Sequence, residues 1–101
     1  TLVIAVGEMG RTPKANGKWG RGHWSTCFPA LIAGGGVRGG IVHGKSDRLG
    51  AYPEENPVSP EDLAKTVYWA LGVNPDVFLP DREGRPTPIV EGGRPVTELF
   101  G

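Results

Sequence analysis

Cysteine is nearly absent. Cys27 stands alone among 101 residues, which excludes an internal disulfide framework and any multi-cysteine zinc site. Histidine is almost as scarce, with only His23 and His43. No apolar run approaches the ~20 residues of a membrane-spanning helix, so no membrane partner is expected. There is no surplus of charge either: 11 Lys and Arg balance 11 Asp and Glu. A general nucleic-acid binder needs a basic excess, and that class drops out. What the chain has in plenty is glycine (17) and proline (10), a loop-rich composition. With 38% apolar residues and three Trp, it still has the material of an ordered globular piece.

The chain opens on Leu2-Val3-Ile4-Ala5-Val6, a continuous apolar run closed by Gly7. Runs without polar alternation suit a strand buried on both faces, as in a parallel sheet. Such a strand needs neighbours on each side. Residues 1–101 are therefore expected to be one segment, the C-terminal part of a larger domain. A second apolar run, Phe28 to Ala33, precedes Gly34-Gly35-Gly36, and Ile41-Val42-His43 reads as a short strand. Lys45 to Val58 shows no period and contains Pro53 and Pro57, so a loop is expected there.

The clearest element is a helix over 60–71. Ser59 suits the N-cap, Pro60 the first turn, and Asp62 lies three residues after Ser59 as in a capping box. Leu63, Val67 and Leu71 make one apolar stripe, and Gly72 stops the helix. The tail repeats Gly-Arg-Pro at 84–86 and 93–95, with a brief edge strand expected over 87–91. Leu99 and Phe100 read as a terminal anchor.

Charge is divided between the halves. Residues 1–50 carry seven basic and two acidic residues, a net +5, and the remainder carries −5. The basic half is also the glycine-rich half, which suits an anionic ligand approached closely by backbone. Gly34, Gly36 and Gly39 match the dinucleotide fingerprint, but a strand rather than a helix is expected after them. The pyrophosphate therefore lacks its helix N-terminus, and the nucleotide reading fails.

Two other segments carry chemistry. Glu8 and Arg11 follow the first strand at the edge where open α/β sheets bind ligands. Arg21 and His23 precede the next strand, with Trp24 beside them to wall off water. If those strands are neighbours, Glu8, Arg11, Arg21 and His23 converge on one rim. Glu8 and His23 are then metal ligands or acid/base groups, and Arg11, Arg21 and Arg38 hold an anion. Glu plus His is half a zinc-type site, since a catalytic zinc has three protein ligands. The competing reading makes Glu8–Arg11 a structural ion pair. A nucleophilic pair of Cys27 with His23 lacks an orienting third group.

The ordered series Gly7-Glu8-x-Gly10-Arg11-Thr12-Pro13, Gly20-Arg21-x-His23-Trp24, Ala33-Gly34-Gly35-Gly36-x-Arg38-Gly39-Gly40, Gly44-x-Ser46-Asp47 and Pro57-Val58-x-Pro60-Glu61-Asp62-Leu63-Ala64 resembles a known pattern. It is similar to the C-terminal part of the sulfatase-like bacterial proteins called domain of unknown function 1501. The ending, from Asp81-Arg82 to Leu99-Phe100, fits as well. That resemblance implies a branch of the alkaline-phosphatase/sulfatase superfamily. Its members are α/β sandwiches with a metal-dependent hydrolytic site, and their nucleophile lies earlier in the chain. By position Glu8 resembles the Asp of the superfamily's Asp-His-Gly metal motif, and His23 resembles its later His. Met9 stands where the motif has His.

The expected fold is thus a partial α/β sandwich, the C-terminal segment of an alkaline-phosphatase-like fold with a few strands and one clear helix. The expected function is part of a metal-dependent hydrolase of sulfate or phosphate esters, inactive by itself. The divalent ion would be zinc, calcium or magnesium, and the segment alone requires none. The expected ligand is an anionic small molecule or glycan ester. Two alternatives stand beside this: a degenerate module that binds without turnover, and a structural fragment that self-associates through its first strand.

Overall fold

The computed structural model describes residues 1–101 and contains eight short strands and one α-helix. In chain order these are β1 (Leu2–Val6), β2 (Gly10–Arg11), β3 (His23–Trp24), β4 (Ala30–Gly34), β5 (Lys45–Ser46), β6 (Pro53–Glu55), α1 (Pro60–Ala70), β7 (Phe78–Pro80) and β8 (Pro86–Pro88). A 3-10 turn, Thr97–Leu99, closes the chain. Every sheet is a two-stranded pair: β1 with β4, β2 with β3, β5 with β6, and β7 with β8. The last three pairs are antiparallel. This is a mixed α/β arrangement.

The chain divides into two compact units. The first comprises residues 1–2, 33–39 and 58–101, and the second residues 3–32 and 40–57.

In the first unit, α1 is built as its sequence directs. The Ser59 hydroxyl accepts the Asp62 N–H at 3.0 Å, and the Asp62 carboxylate accepts the Ser59 N–H at 3.0 Å. That is a complete capping box on a helix whose first residue is proline. At the other end, the Gly72 N–H donates to the Trp69 carbonyl and the Val73 N–H to the Tyr68 carbonyl, which is a Schellman closure. The expected apolar stripe is only partly right. Leu63 and Val67 are half-buried, but Leu71 is 62% exposed because it is the C-cap, past the last helical residue. The buried positions on α1 are polar instead: Lys65, whose ammonium lies 2.9 Å from Asp76, and the fully buried Thr66.

Thr66 and Asp62 tie the tail to the helix. The Thr66 hydroxyl accepts the Val96 N–H at 2.8 Å, and Asp62 accepts the Arg94 N–H at 2.8 Å. The chain passes so close at Gly93 that a Cβ there would sit 2.9 Å from the Glu61 and Asp62 backbone, and its φ is +75°. Only glycine fits both conditions. Phe100 bridges Val37, and the Arg38 N–H donates to the Leu99 carbonyl, so the terminal anchor is held by the glycine-rich loop.

Burial of Asp62 works to raise its pKa. Hydrogen bonds from the Ser59 and Arg94 N–H groups outweigh it, helped by the Ser59 hydroxyl and the Arg94 charge, and hold the carboxyl below its ordinary value. A carboxyl depressed in the folded state stabilises above its unfolded pKa, and that gain is lost as pH falls through the folded one. Asp62→Asn should therefore cost about 1 kcal/mol at neutral pH. The gap to wild type should close in acid below about pH 4, as read by thermal melting of both proteins across pH.

Several expectations are corrected. β1 is not buried on both faces: Val3 is 54% and Val6 47% exposed, because β4 is its sole partner. Ile41–His43 is not a strand. The chain turns at Gly40 and Gly44, both at positive φ, and Val42 is 94% exposed with no partner strand. The loop expected over 45–58 instead contains the β5–β6 hairpin. The edge strand expected over 87–91 lies one residue earlier and is shorter, pairing Pro86 with Pro80, Thr87 with Leu79 and Pro88 with Phe78.

Candidate functional site

The site expected from sequence falls on the second unit, along the connection between β1 and β4. That connection folds back on itself as the β2–β3 hairpin. Gly10 lies opposite Trp24, and Arg11 lies opposite His23. Gly10 is required by the close approach: a Cβ would meet the Cys27 carbonyl at 2.7 Å and the Trp24 carbonyl at 2.9 Å. Directly opposed residues of an antiparallel pair project to the same face, with Cβ atoms about 5 Å apart. Arg11 and His23 are thus neighbours by register, and both residues are exposed. An anion docking on this face meets a fixed positive charge beside a group that can give or take a proton.

Glu8 stands exposed two residues before Gly10, and no ion pair joins it to Arg11. The structural ion pair weighed against a functional Glu8 does not form. Arg21 is turned to the loop itself. Its Nη1 donates to the Thr12 carbonyl at 2.7 Å and to the Pro13 carbonyl at 2.5 Å, pinning the two sides of the connection together. Thr12 reinforces this, donating its N–H to the Gly22 carbonyl and accepting the Gly22 N–H on its hydroxyl. Arg38 belongs to the first unit, where its Nη2 donates to the Glu98 carbonyl at 2.8 Å. Both guanidinium groups spend hydrogen bonds on backbone, in contrast to Arg11.

Trp24 supports the hairpin from beneath. Its indole N–H donates to the Ala51 carbonyl at 2.7 Å, and its ring meets Tyr52 edge to face at 5.7 Å between centroids. Ala51 is in turn held by the Asp47 carboxylate, which accepts the Ala51 N–H at 2.8 Å. The sequence marks Trp24 as a wall, whereas the structure makes it the anchor that fixes His23 through its neighbour. A hollow of about 280 Å³ lies between Pro13 and Lys14 on one side and Leu49 and Ala51 on the other.

The residues do not assemble a metal site of their own. No three His, Cys, Asp or Glu side chains converge anywhere in the chain. A catalytic zinc takes three protein ligands, so Glu8 and His23 offer at most part of a set. Sequence reasoning also passed over Trp19. It is 89% exposed with φ of +61°, at the tip of the hairpin loop. Its signal was present as a lone aromatic inside a basic, polar loop.

Compared with known proteins, residues 1–100 match the model of the family described as protein of unknown function (DUF1501). No curated protein and no solved structure matches the chain.

Proposed function

The chain belongs to the DUF1501 family, and from that premise we propose that it supplies the anion-holding and proton-transfer side of a sulfate- or phosphate-ester hydrolase site. The observation that carries this reading is the register pairing of Arg11 with His23 on one face of the β2–β3 hairpin. Arg11 holds a nonbridging oxygen of the ester, and His23 gives a proton to the bridging oxygen as the bond to it breaks and it departs as the alcohol. Glu8, on the approach to the same hairpin, is the further acid/base or ligand group. Arg21 positions the loop through Thr12 and Pro13. The metal that the superfamily resemblance implies finds no complete ligand set among these residues.

The chain is further proposed to be part of a larger domain that contributes the nucleophile. Support comes from its thin interior: its buried apolar residues are Ala51, Pro75 and Val96, while Val3, Val6 and Leu31 on β1 and β4 are about half exposed or more. A free-standing domain of this length normally buries more.

The test is turnover of 4-nitrophenyl sulfate and 4-nitrophenyl phosphate by the intact protein. His23→Gln should lower kcat by about 10²-fold or more, and Arg11→Ala should act mainly on KM. Turnover unchanged by both substitutions would remove the reading. Met9, in the place of a metal-ligating His, favours the second reading of a module that binds anions without hydrolysis. Arg11-dependent binding of sulfate with no turnover of either ester would select it.

A further inference from the structure

We propose that the tip of the β2–β3 loop is a stacking platform for an anionic saccharide, with Trp19 receiving the C–H face of a sugar ring and Lys14 and Lys18 its sulfate or carboxylate groups. Three observations carry this. First, Trp19 is 89% exposed, more than any other aromatic residue of the chain.

Second, the ring is presented by a closed turn. The Asn16 side-chain oxygen accepts the Lys18 and Gly20 N–H groups, each at 2.9 Å. The Asn16 N–H donates to the Gly20 carbonyl at 2.8 Å, and the Trp19 N–H returns to the Asn16 carbonyl at 3.0 Å. Inside this cage Trp19 adopts φ of +61°, a conformation bulky residues rarely hold. Glycine would satisfy the turn without strain and precedes and follows the pair as Gly17 and Gly20. A tryptophan kept in a glycine's conformation, with its ring in solvent, points to a use for the ring.

Third, the loop itself carries charge of one sign. Residues 9–46 contain no Asp or Glu, and Lys14 and Lys18 are exposed within the loop. The ligand is therefore anionic as well as apolar on one face, the combination that a sulfated or carboxylated sugar offers. A single-stranded nucleic acid also stacks and is also anionic. Its binders, however, interleave several aromatics along a basic groove, whereas this loop has one ring on a chain of zero net charge.

The ligand class rests on the anionic-ester reading above, but the platform is a separate feature and fails or stands separately. The experiment is calorimetric titration of the intact protein with a chondroitin sulfate hexasaccharide, with maltohexaose, with inorganic sulfate and with a single-stranded deoxythymidine decamer. Wild type should bind the sulfated hexasaccharide in preference to maltohexaose. Trp19→Ala and Trp19→Gly should each weaken that binding about tenfold or more while leaving sulfate affinity unchanged, and Trp19→Phe should retain most of it. Lys14→Ala with Lys18→Ala should weaken it and flatten its salt dependence. Thermal melting checks that the variants fold, and Trp19→Gly removes the strained φ should alanine not be tolerated. Equal hexasaccharide affinity in wild type and Trp19→Gly overturns the proposal. So does decamer binding that depends on Trp19 and exceeds the hexasaccharide. Trp19-dependent hexasaccharide binding with no ester turnover supports the platform and retires the hydrolase.

Discussion

Trp24→Ala is expected to destabilise the second unit by about 3 kcal/mol, near the low end for loss of a large buried aromatic because Trp24 is half-buried. Three losses combine. The ring leaves a void against Tyr52, the edge-to-face contact disappears, and the Ala51 carbonyl loses its indole donor. Ala51 is one of the few buried apolar residues, so the void opens beside what little interior the unit has. Trp24→Phe separates these effects: it keeps a ring against Tyr52 but strands the carbonyl, at about 1 kcal/mol. Denaturant unfolding gives both values. The functional consequence follows from register. Trp24 adjoins His23 on β3 and opposes Gly10, so Trp24→Ala should also loosen the Arg11–His23 pair and weaken sulfate binding in the folded protein. A Trp24→Ala protein with wild-type melting and wild-type sulfate affinity would show that the hairpin needs no such anchor.

Local signals were the legible ones. Ser59, Pro60, Asp62 and Gly72 act within one turn of the helix they bound, and α1 is capped as they indicate. Arg11 and His23 lie opposite each other in register, a geometry the sequence did not suggest. Two loops leaving neighbouring strands were expected to meet at a rim, and one connection instead folds into a hairpin. Two-residue strands such as β2 and β3 leave no alternation to read. The β5–β6 hairpin was hidden in the same way, with Pro53 at the start of β6 masking the pairing. For Arg21 and Arg38 the sequence gives the charge and not its hydrogen bonds. Their carbonyl partners, Thr12, Pro13 and Glu98, are set by where the chain returns.

Thr66 shows why the interior of the first unit escaped the apolar pattern, and it carries the other large expected effect. A stripe of Leu63, Val67 and Leu71 directs attention to one face of α1, yet the residue with no solvent exposure is a threonine. Its hydroxyl donates to the Asp62 carbonyl at 2.6 Å and accepts the Val96 N–H at 2.8 Å. Val96 is itself 2% exposed, so its N–H has no water to turn to. Thr66→Val keeps the volume and removes the acceptor. The cost is the desolvation of an unpaired buried donor, about 1–3 kcal/mol, against little change for Thr66→Ser, which keeps the oxygen and loses one methyl. Because the tail from Gly93 to Phe100 is held to α1 by this bond and by Asp62–Arg94, the loss should appear first as faster amide exchange over residues 94–100. The Ser and Val variants then divide cleanly. If only the Ser variant loses stability, the methyl packing rather than the hydroxyl holds the tail. If only the Val variant fails, one buried oxygen closes the C-terminal end of the unit.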